Sequence, residues 1–187
     1  MTPSMSPGSG FLFVGFLLGM RHALEPDHLA AVSTLVTAQR RTGAGPLAGT
    51  WLGMLWGLGH TIALLVVATL LAVAGTELPL RLALSFELGV AAMLVVLGAR
   101  SIHRAWHPEF VGRPPSRGSM PRAIPRAIPR VIPRSLAVGL VHGLAGSGAL
   151  TALVASRFPS IGGRLLTVSL FGLGSMIGMA ALSGIAG

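Results

Sequence analysis

The chain contains 187 residues, of which 52% are hydrophobic and only 10% are charged, with a mean hydropathy of +0.75. Soluble domains carry about 25% charged residues, so the charges here are too few to cover a globular surface, and a soluble fold is excluded. The absence of cysteine excludes disulfide frameworks, zinc–thiolate sites and thiol nucleophiles. The net charge of +9 would suggest a nucleic-acid partner in a soluble protein, but the positions of the 14 arginines argue against one.

Five apolar segments are long enough to cross a bilayer, which takes about 20 helical residues. In chain order they span residues 11–38, 47–74, 80–102, 135–156 and 164–187, and the first is interrupted by the polar string from Arg21 to His28. A soluble helical bundle would need polar outer faces on these helices, and the segments have none. The sequence therefore predicts an all-α, polytopic membrane protein with five transmembrane helices and a single transmembrane domain over residues 1–187.

Ten of the 14 arginines lie in two links on the same side of the predicted membrane. Arg40 and Arg41 follow the first segment, and eight more lie around the link between the third and fourth segments, at positions 100, 104, 113, 117, 122, 126, 130 and 134. Cytoplasmic loops are enriched in arginine, so both links are predicted to be cytoplasmic, with the N-terminus outside a bacterial inner membrane. The N-terminus lacks the basic start of a signal peptide, which predicts that the first segment is retained.

The link over residues 104–134 is rich in proline and arginine. Prolines recur every four residues from Pro121 to Pro133, a density that blocks helix formation and favours an extended backbone. This pattern favours a basic cytoplasmic loop lying near anionic lipid headgroups over a nucleic-acid arm or a docking motif. The predicted partners are therefore the lipid bilayer and not nucleic acid.

The interruption of the first segment holds ionisable side chains at membrane depth, where they are costly unless they are paired or functional. Pro26 predicts a break in the helix, which would turn Asp27, His28 and His22 toward one centre. Arg21 and Glu25 are four residues apart, so they are expected to pair and to set the local charge. A cation site is favoured over a polar network that only holds helices together. The residues concerned are Arg21, His22, Glu25, Pro26, Asp27 and His28.

The second segment adds His60 in the middle of its span. A lone membrane histidine is more often an interhelical hydrogen-bonding residue than a ligand, but the histidines of the first segment favour ligation. Imidazole suits divalent zinc, copper, iron and nickel, whereas the thiolates that would favour Cu(I) are missing.

The string from His22 to Val32, with His22 and the pair Asp27-His28 in a membrane segment and Gly59-His60-Thr61 one helix later, resembles the signature of the nickel/cobalt transporter family. It is most similar to the shorter, urease-accessory-type (UreH-like) members. The resemblance implies a carrier of divalent nickel or cobalt, with the histidines and aspartate of the first motif handling the metal and no permanently bound cofactor. The longer transporters carry aspartate–threonine motifs in later helices, and no aspartate follows Asp27 here.

The sequence also repeats itself. Residues 19–24, which include His22, resemble residues 139–144, which include His142. In the same way, the seven residues that begin at Trp56 resemble the seven that begin at Phe171. Three helices per half is an odd number, so the second half would enter the membrane in the opposite sense, as an inverted 3+3 repeat with its site at the repeat interface. The first repeat is expected over residues 1–103 and the second over 135–187. The second half holds one helix fewer, so a truncated chain with six helices in the intact protein is expected, and His142 is expected to face the site.

The function predicted is transport of nickel or cobalt by alternating access, with His22, Asp27, His28, His60 and His142 as the metal site. Because ligating histidines must be unprotonated, metal affinity is expected to fall below about pH 6. The alternative is a membrane-bound accessory factor that delivers nickel to urease or hydrogenase, with nickel-enzyme maturation proteins as partners. An enzyme is not predicted, because the His-Glu-x-x-His pattern of metalloproteases is absent.

Overall fold

The computed structural model describes residues 7–40, 46–107, 128–145, 158 and 160–186. Every regular element within those ranges is an α-helix: α1 Pro7–His22, α2 Pro26–Arg40, α3 Pro46–Ala74, α4 Leu80–Trp106, α5 Ile128–Ala145 and α6 Ile161–Ala186. Three of them, α3, α4 and α6, are long and apolar enough to cross a membrane. The protein is therefore an all-α integral membrane protein, as its sequence predicts.

The predicted second, third and fifth segments each correspond to one long helix, whereas the first does not. Residues 11–38 were expected to form one interrupted span, but they belong to two helices, α1 and α2, of 16 and 15 residues. At 1.5 Å per residue they are only about 24 Å and about 23 Å long, shorter than a hydrocarbon core of about 30 Å. The predicted fourth segment, 135–156, is described only as far as Ala145, and its remainder lies outside the described residues.

The boundaries of the proline-rich link also need correction. Helix α4 continues to Trp106, past the predicted end at residue 102, and α5 begins at Ile128, inside the link predicted to end at residue 134. Proline is tolerated here because the first amides of a helix have no acceptor within it, so Pro129 in the first turn loses no hydrogen bond. Only Pro133 lies inside the helix and forfeits one. Residues 108–127 of the predicted link lie outside the described residues.

Helix α3 lies at the centre of the bundle, packed against α6 on one side and α5 on the other. Helix α1 packs against α6, and α4 lies at the periphery against α5 and α2. Val90 is the one residue of α4 that is buried among the described helices. Most of the apolar surface of α4 is therefore available to lipid. The buried core next to the site includes Trp56 and Met179.

Candidate metal centre

The site starts at the tight turn that separates α1 from α2. The amide of Leu24 donates to the carbonyl of Arg21 (2.9 Å), and that of Glu25 donates to the carbonyl of His22 (3.0 Å). Both bonds reach back three residues instead of four, which tightens and ends the first helix. Pro26 has no amide hydrogen to lose and opens α2 at the position where proline is favoured.

This turn changes where the histidines of the first segment point. On one continuous helix His22 and His28 would project about 120° apart. Because they come from the end of one helix and the start of the next, their ring centroids lie 4.3 Å apart. The break therefore creates a juxtaposition that an unbroken span would prevent.

Two more histidines reach the same place from other helices. His60 of α3 lies with its ring centroid 5.2 Å from that of His22 and 5.4 Å from that of His28. His142 of α5 lies 4.2 Å from His28 and 6.2 Å from His60, again between ring centroids. His28, His60 and His142 are 2% exposed or less, and the His22 side chain is 15% exposed. Four helices thus contribute one imidazole each to one buried cluster.

Two carboxylates contact this cluster. Asp27 Oδ1 lies 3.1 Å from His28 Nδ1, and Asp27 Oδ2 lies 2.9 Å from His142 Nε2. Glu25 Oε2 lies 2.9 Å from His22 Nδ1. The two Asp27 contacts are hydrogen bonds from an imidazole to a carboxylate, which are stronger than bonds between neutral groups, and the Glu25 contact is an ion pair.

The partner of Glu25 differs from the sequence prediction. Arg21 was expected to pair with Glu25, but within the described part of the chain the ion pair of Glu25 is with His22. The four-residue spacing brings side chains together only on a continuous helix, and α1 ends at His22. The turn instead places Glu25 beside the ring three residues before it, and Arg21 is exposed.

Two sets of side chains hold their ligand atoms within 4.8 Å of one another: His22, His28 and His60, and Asp27, His28 and His142. Buried polar atoms normally have hydrogen-bond partners. Among the described residues, however, His28 Nε2, both nitrogens of His60 and His142 Nδ1 have none. Bare imidazole nitrogens are ligands for divalent transition metals, so the donor set fits such an ion.

Two aromatic residues that line the cluster were not among the predicted site residues. Trp56 is fully buried, with its ring centroid 5.5 Å from that of His28 and 5.6 Å from that of His142. The ring centroid of Phe171 lies 5.2 Å from that of His22. A signal was available for both, because each occupies the first position of the paired heptapeptides in the sequence repeat, and Trp56 precedes His60 by one helical turn.

An all-helical integral membrane protein with a buried polyhistidine centre is the class that the fold and the site define. The chain belongs to the NicO family of high-affinity nickel-transport proteins, whose sequence profile matches residues 9–186. This confirms the predicted family resemblance. No solved structure matches the chain significantly.

Three curated relatives show how far the similarity extends. The urease accessory protein UreH of Bacillus sp. (strain TB-90) is 33% identical over 178 residues, covering 94% of this chain and 75% of UreH. The high-affinity nickel transport protein of Cupriavidus necator is 35% identical over 81 residues, 43% of this chain and 22% of that protein. The hydrogenase nickel incorporation protein HupN of Bradyrhizobium diazoefficiens is 36% identical over 62 residues, 33% of this chain and 15% of HupN.

Proposed function

We propose that this protein carries a divalent transition-metal ion, nickel or cobalt, across the membrane. The observation that carries the proposal is the convergence of His22, His28, His60 and His142 from four helices on one buried centre beside Asp27. Family membership supports nickel as the cargo, and so do the names of relatives concerned with urease and hydrogenase. Such an ion is a substrate that is bound and released, so no resident cofactor is needed.

Alternating access through an inverted repeat is supported by reciprocal close contacts between helices. Gly19 of α1 lies so close to the carbonyl of Phe171 in α6 that a Cβ would clash with it. Gly139 of α5 lies in the same way against the carbonyl of Trp56 in α3. The sequence repeat aligns Gly19 with Gly139 and Phe171 with Trp56, so each contact is the image of the other.

A second pair of contacts runs in the opposite direction across the same helix pairs. Gly174 of α6 lies against the carbonyl of Phe16 in α1, and Gly59 of α3 lies against the carbonyl of Leu136 in α5. Small residues allow this close approach of membrane helices. The pair α1–α6 therefore packs as α5–α3 does, with His22 and His142 at matching positions in α1 and α5. A binding site between two such halves is typical of carriers that work by rocking one half against the other.

In this mechanism the residues around the site have separate tasks. Neutral imidazoles replace part of the hydration shell of the ion, and the carboxylate of Asp27 compensates its charge in the membrane interior. Asp27, beside the turn at Pro26, is 41% exposed, whereas Trp56, which contacts the rings of His28 and His142, is fully buried. The arginine distribution supports an inner-membrane protein whose N-terminus is outside and whose arginine-rich links face the cytoplasm.

The transport proposal is tested by uptake of radiolabelled nickel into proteoliposomes that contain the purified full chain. His28→Ala is expected to abolish uptake because His28 belongs to both possible ligand sets. His103→Ala is the matched control, since it removes an exposed imidazole at the end of α4 and should leave uptake unchanged. Unchanged uptake in His28→Ala would refute the site, and no uptake by the wild-type chain would refute carriage by this protein alone.

The second candidate is an accessory factor that delivers nickel to a metalloenzyme without transporting it. It is favoured by the similarity to UreH, which extends over most of the chain. The same proteoliposomes distinguish the two functions. A carrier accumulates nickel in the absence of other proteins, whereas an accessory factor requires its nickel-enzyme maturation partner.

A further inference from the structure

Resting on the proposed function, we propose that His22, His28 and His60 alone are the protein ligands of the ion, and that Glu25 and Asp27 are positioning residues. The geometry assigns the metal to Nε2 of His22 and His28 and to one ring nitrogen of His60. The carboxylates of Glu25 and Asp27 contact Nδ1 of His22 and of His28, the ring nitrogen opposite the metal-binding one. The site would thus be a three-imidazole site, whose charge is compensated by neighbouring carboxylates instead of ligating ones.

The carboxylate beside each ring determines which ring nitrogen carries the proton. A carboxylate only accepts hydrogen bonds, so His28 Nδ1 donates to Asp27, and the 2.9 Å contact between His22 Nδ1 and Glu25 Oε2 likewise favours a proton on Nδ1 of His22. A neutral imidazole with its proton on Nδ1 has a bare lone pair on Nε2. Both rings of the turn therefore present Nε2 as the ligand atom. Carboxylates commonly orient metal-binding histidines in this way from outside the ligand shell.

His60 supplies the third nitrogen. It is fully buried, and neither of its nitrogens has a hydrogen-bond partner among the described residues. Burying such a polar ring without partners is costly, and a metal ion bound to one of its nitrogens removes part of that cost. One of its nitrogens lies within 4.8 Å of ligand atoms of both His22 and His28.

The other candidate set, Asp27, His28 and His142, is already engaged in hydrogen bonds. Asp27 uses one oxygen for His28 and the other for His142, so both oxygens of this carboxylate already accept a hydrogen bond from an imidazole. Binding by His22, His28 and His60 breaks none. His142 then acts by holding Asp27 from α5, which links the second half of the protein to the ring of His28.

The test uses nickel bound to the full chain in detergent, with imidazole ligands counted by X-ray absorption and affinity measured by competition with a chelator. Wild-type protein is expected to show three protein imidazoles. His60→Ala should lower the count to two, whereas the matched variant His142→Ala should keep three. Two imidazoles in the wild type, or a count lowered by His142→Ala and not by His60→Ala, would overturn the proposal.

Two conservative variants keep the test valid if a buried histidine variant does not fold. Glu25→Gln and Asp27→Asn change side chains that are 54% and 41% exposed, so folding should be unaffected. Each should keep three imidazoles and weaken nickel binding about 10–100-fold, as loss of an orienting carboxylate does elsewhere. Unchanged affinity would refute the positioning role. Failure of the wild type to bind nickel would instead refute the proposed function, so the two failures are distinguishable.

Discussion

Replacing Gly139 with alanine tests how tightly the site depends on the close packing of α5 against α3. A Cβ at Gly139 would lie 2.7 Å from Trp56 Cδ1 and still closer to the carbonyl oxygen of Trp56, where ordinary contacts are 3.4–4 Å. The carbonyl belongs to the backbone of α3, so a rotamer change cannot relieve the clash. The two helices must separate by about 0.7 Å to restore a van der Waals distance to Trp56 Cδ1, and by more to restore one to the carbonyl oxygen.

Separation of the two helices would also displace the site, because His142 lies three residues after Gly139 in α5. Its Nε2 is 2.9 Å from Asp27 Oδ2, and a shift of about 0.7 Å directed away from Asp27 would lengthen this distance to about 3.6 Å, beyond hydrogen-bonding range. Overpacking of this kind costs about 1–3 kcal/mol of stability. Loss of the contact that holds Asp27 should also weaken nickel binding by about tenfold, as loss of an orienting group at a metal site does.

The assay measures the unfolding midpoint in detergent and the nickel affinity of Gly139→Ala beside those of Gly89→Ala. No described atom lies within 4 Å of a Cβ at Gly89, so this control adds the same methyl group to α4 without a clash. Alanine is the better helix former by about 0.8–1 kcal/mol, and the control should be as stable as the wild type or more so. If the two variants match in both measurements, the reasoning from close packing is refuted.

Three further predictions concern the matching glycine contact, a buried hydrogen bond and the protonation of the histidines. Gly19→Ala should lower the unfolding midpoint as much as Gly139→Ala, because it meets the matching carbonyl of Phe171; a neutral result would contradict the reciprocal packing. Ser135→Ala removes a buried hydrogen bond to the carbonyl of Leu52 (2.8 Å) and should cost about 0.5–1.5 kcal/mol of stability while leaving nickel affinity unchanged; a large loss of affinity would show that this bond supports the site directly. Nickel affinity should fall steeply below about pH 6, because protonated imidazoles cannot ligate; a dissociation constant that stays constant through this range would exclude histidine ligands.

Local features of the sequence were sufficient to predict the helical membrane class and the position of the break. Apolar runs of more than 20 residues identify α3, α4 and α6 because the length of a span depends only on helical rise and bilayer thickness. Pro26 marks the turn because the missing amide is a property of that residue alone. The family resemblance could also be recognised from the sequence, because most of its motif residues are close neighbours in the chain, between His22 and Val32.

Other local predictions failed where a boundary depends on more than composition. Proline density did not prevent α5 from starting at Ile128, because a proline in the first turn loses no hydrogen bond. The expected pairing of Arg21 with Glu25 was wrong because a helix end, and not a helix, lies between them. Both errors came from applying the rule for a regular element at the point where the element begins or ends.

Composition and local spacing therefore determined that this chain is a helical membrane protein with ionisable groups at a broken span. Only the tertiary structure decided which nitrogens share a centre. The two oxygens of Asp27 are hydrogen-bonded to His28, its neighbour in the chain, and to His142, which lies 115 residues further along. The tertiary structure also placed Trp56 against the cluster and brought the ring of His22 into an ion pair with Glu25. Such contacts depend on how closely the backbones of different helices approach, which the glycines permit and which no spacing within one helix encodes.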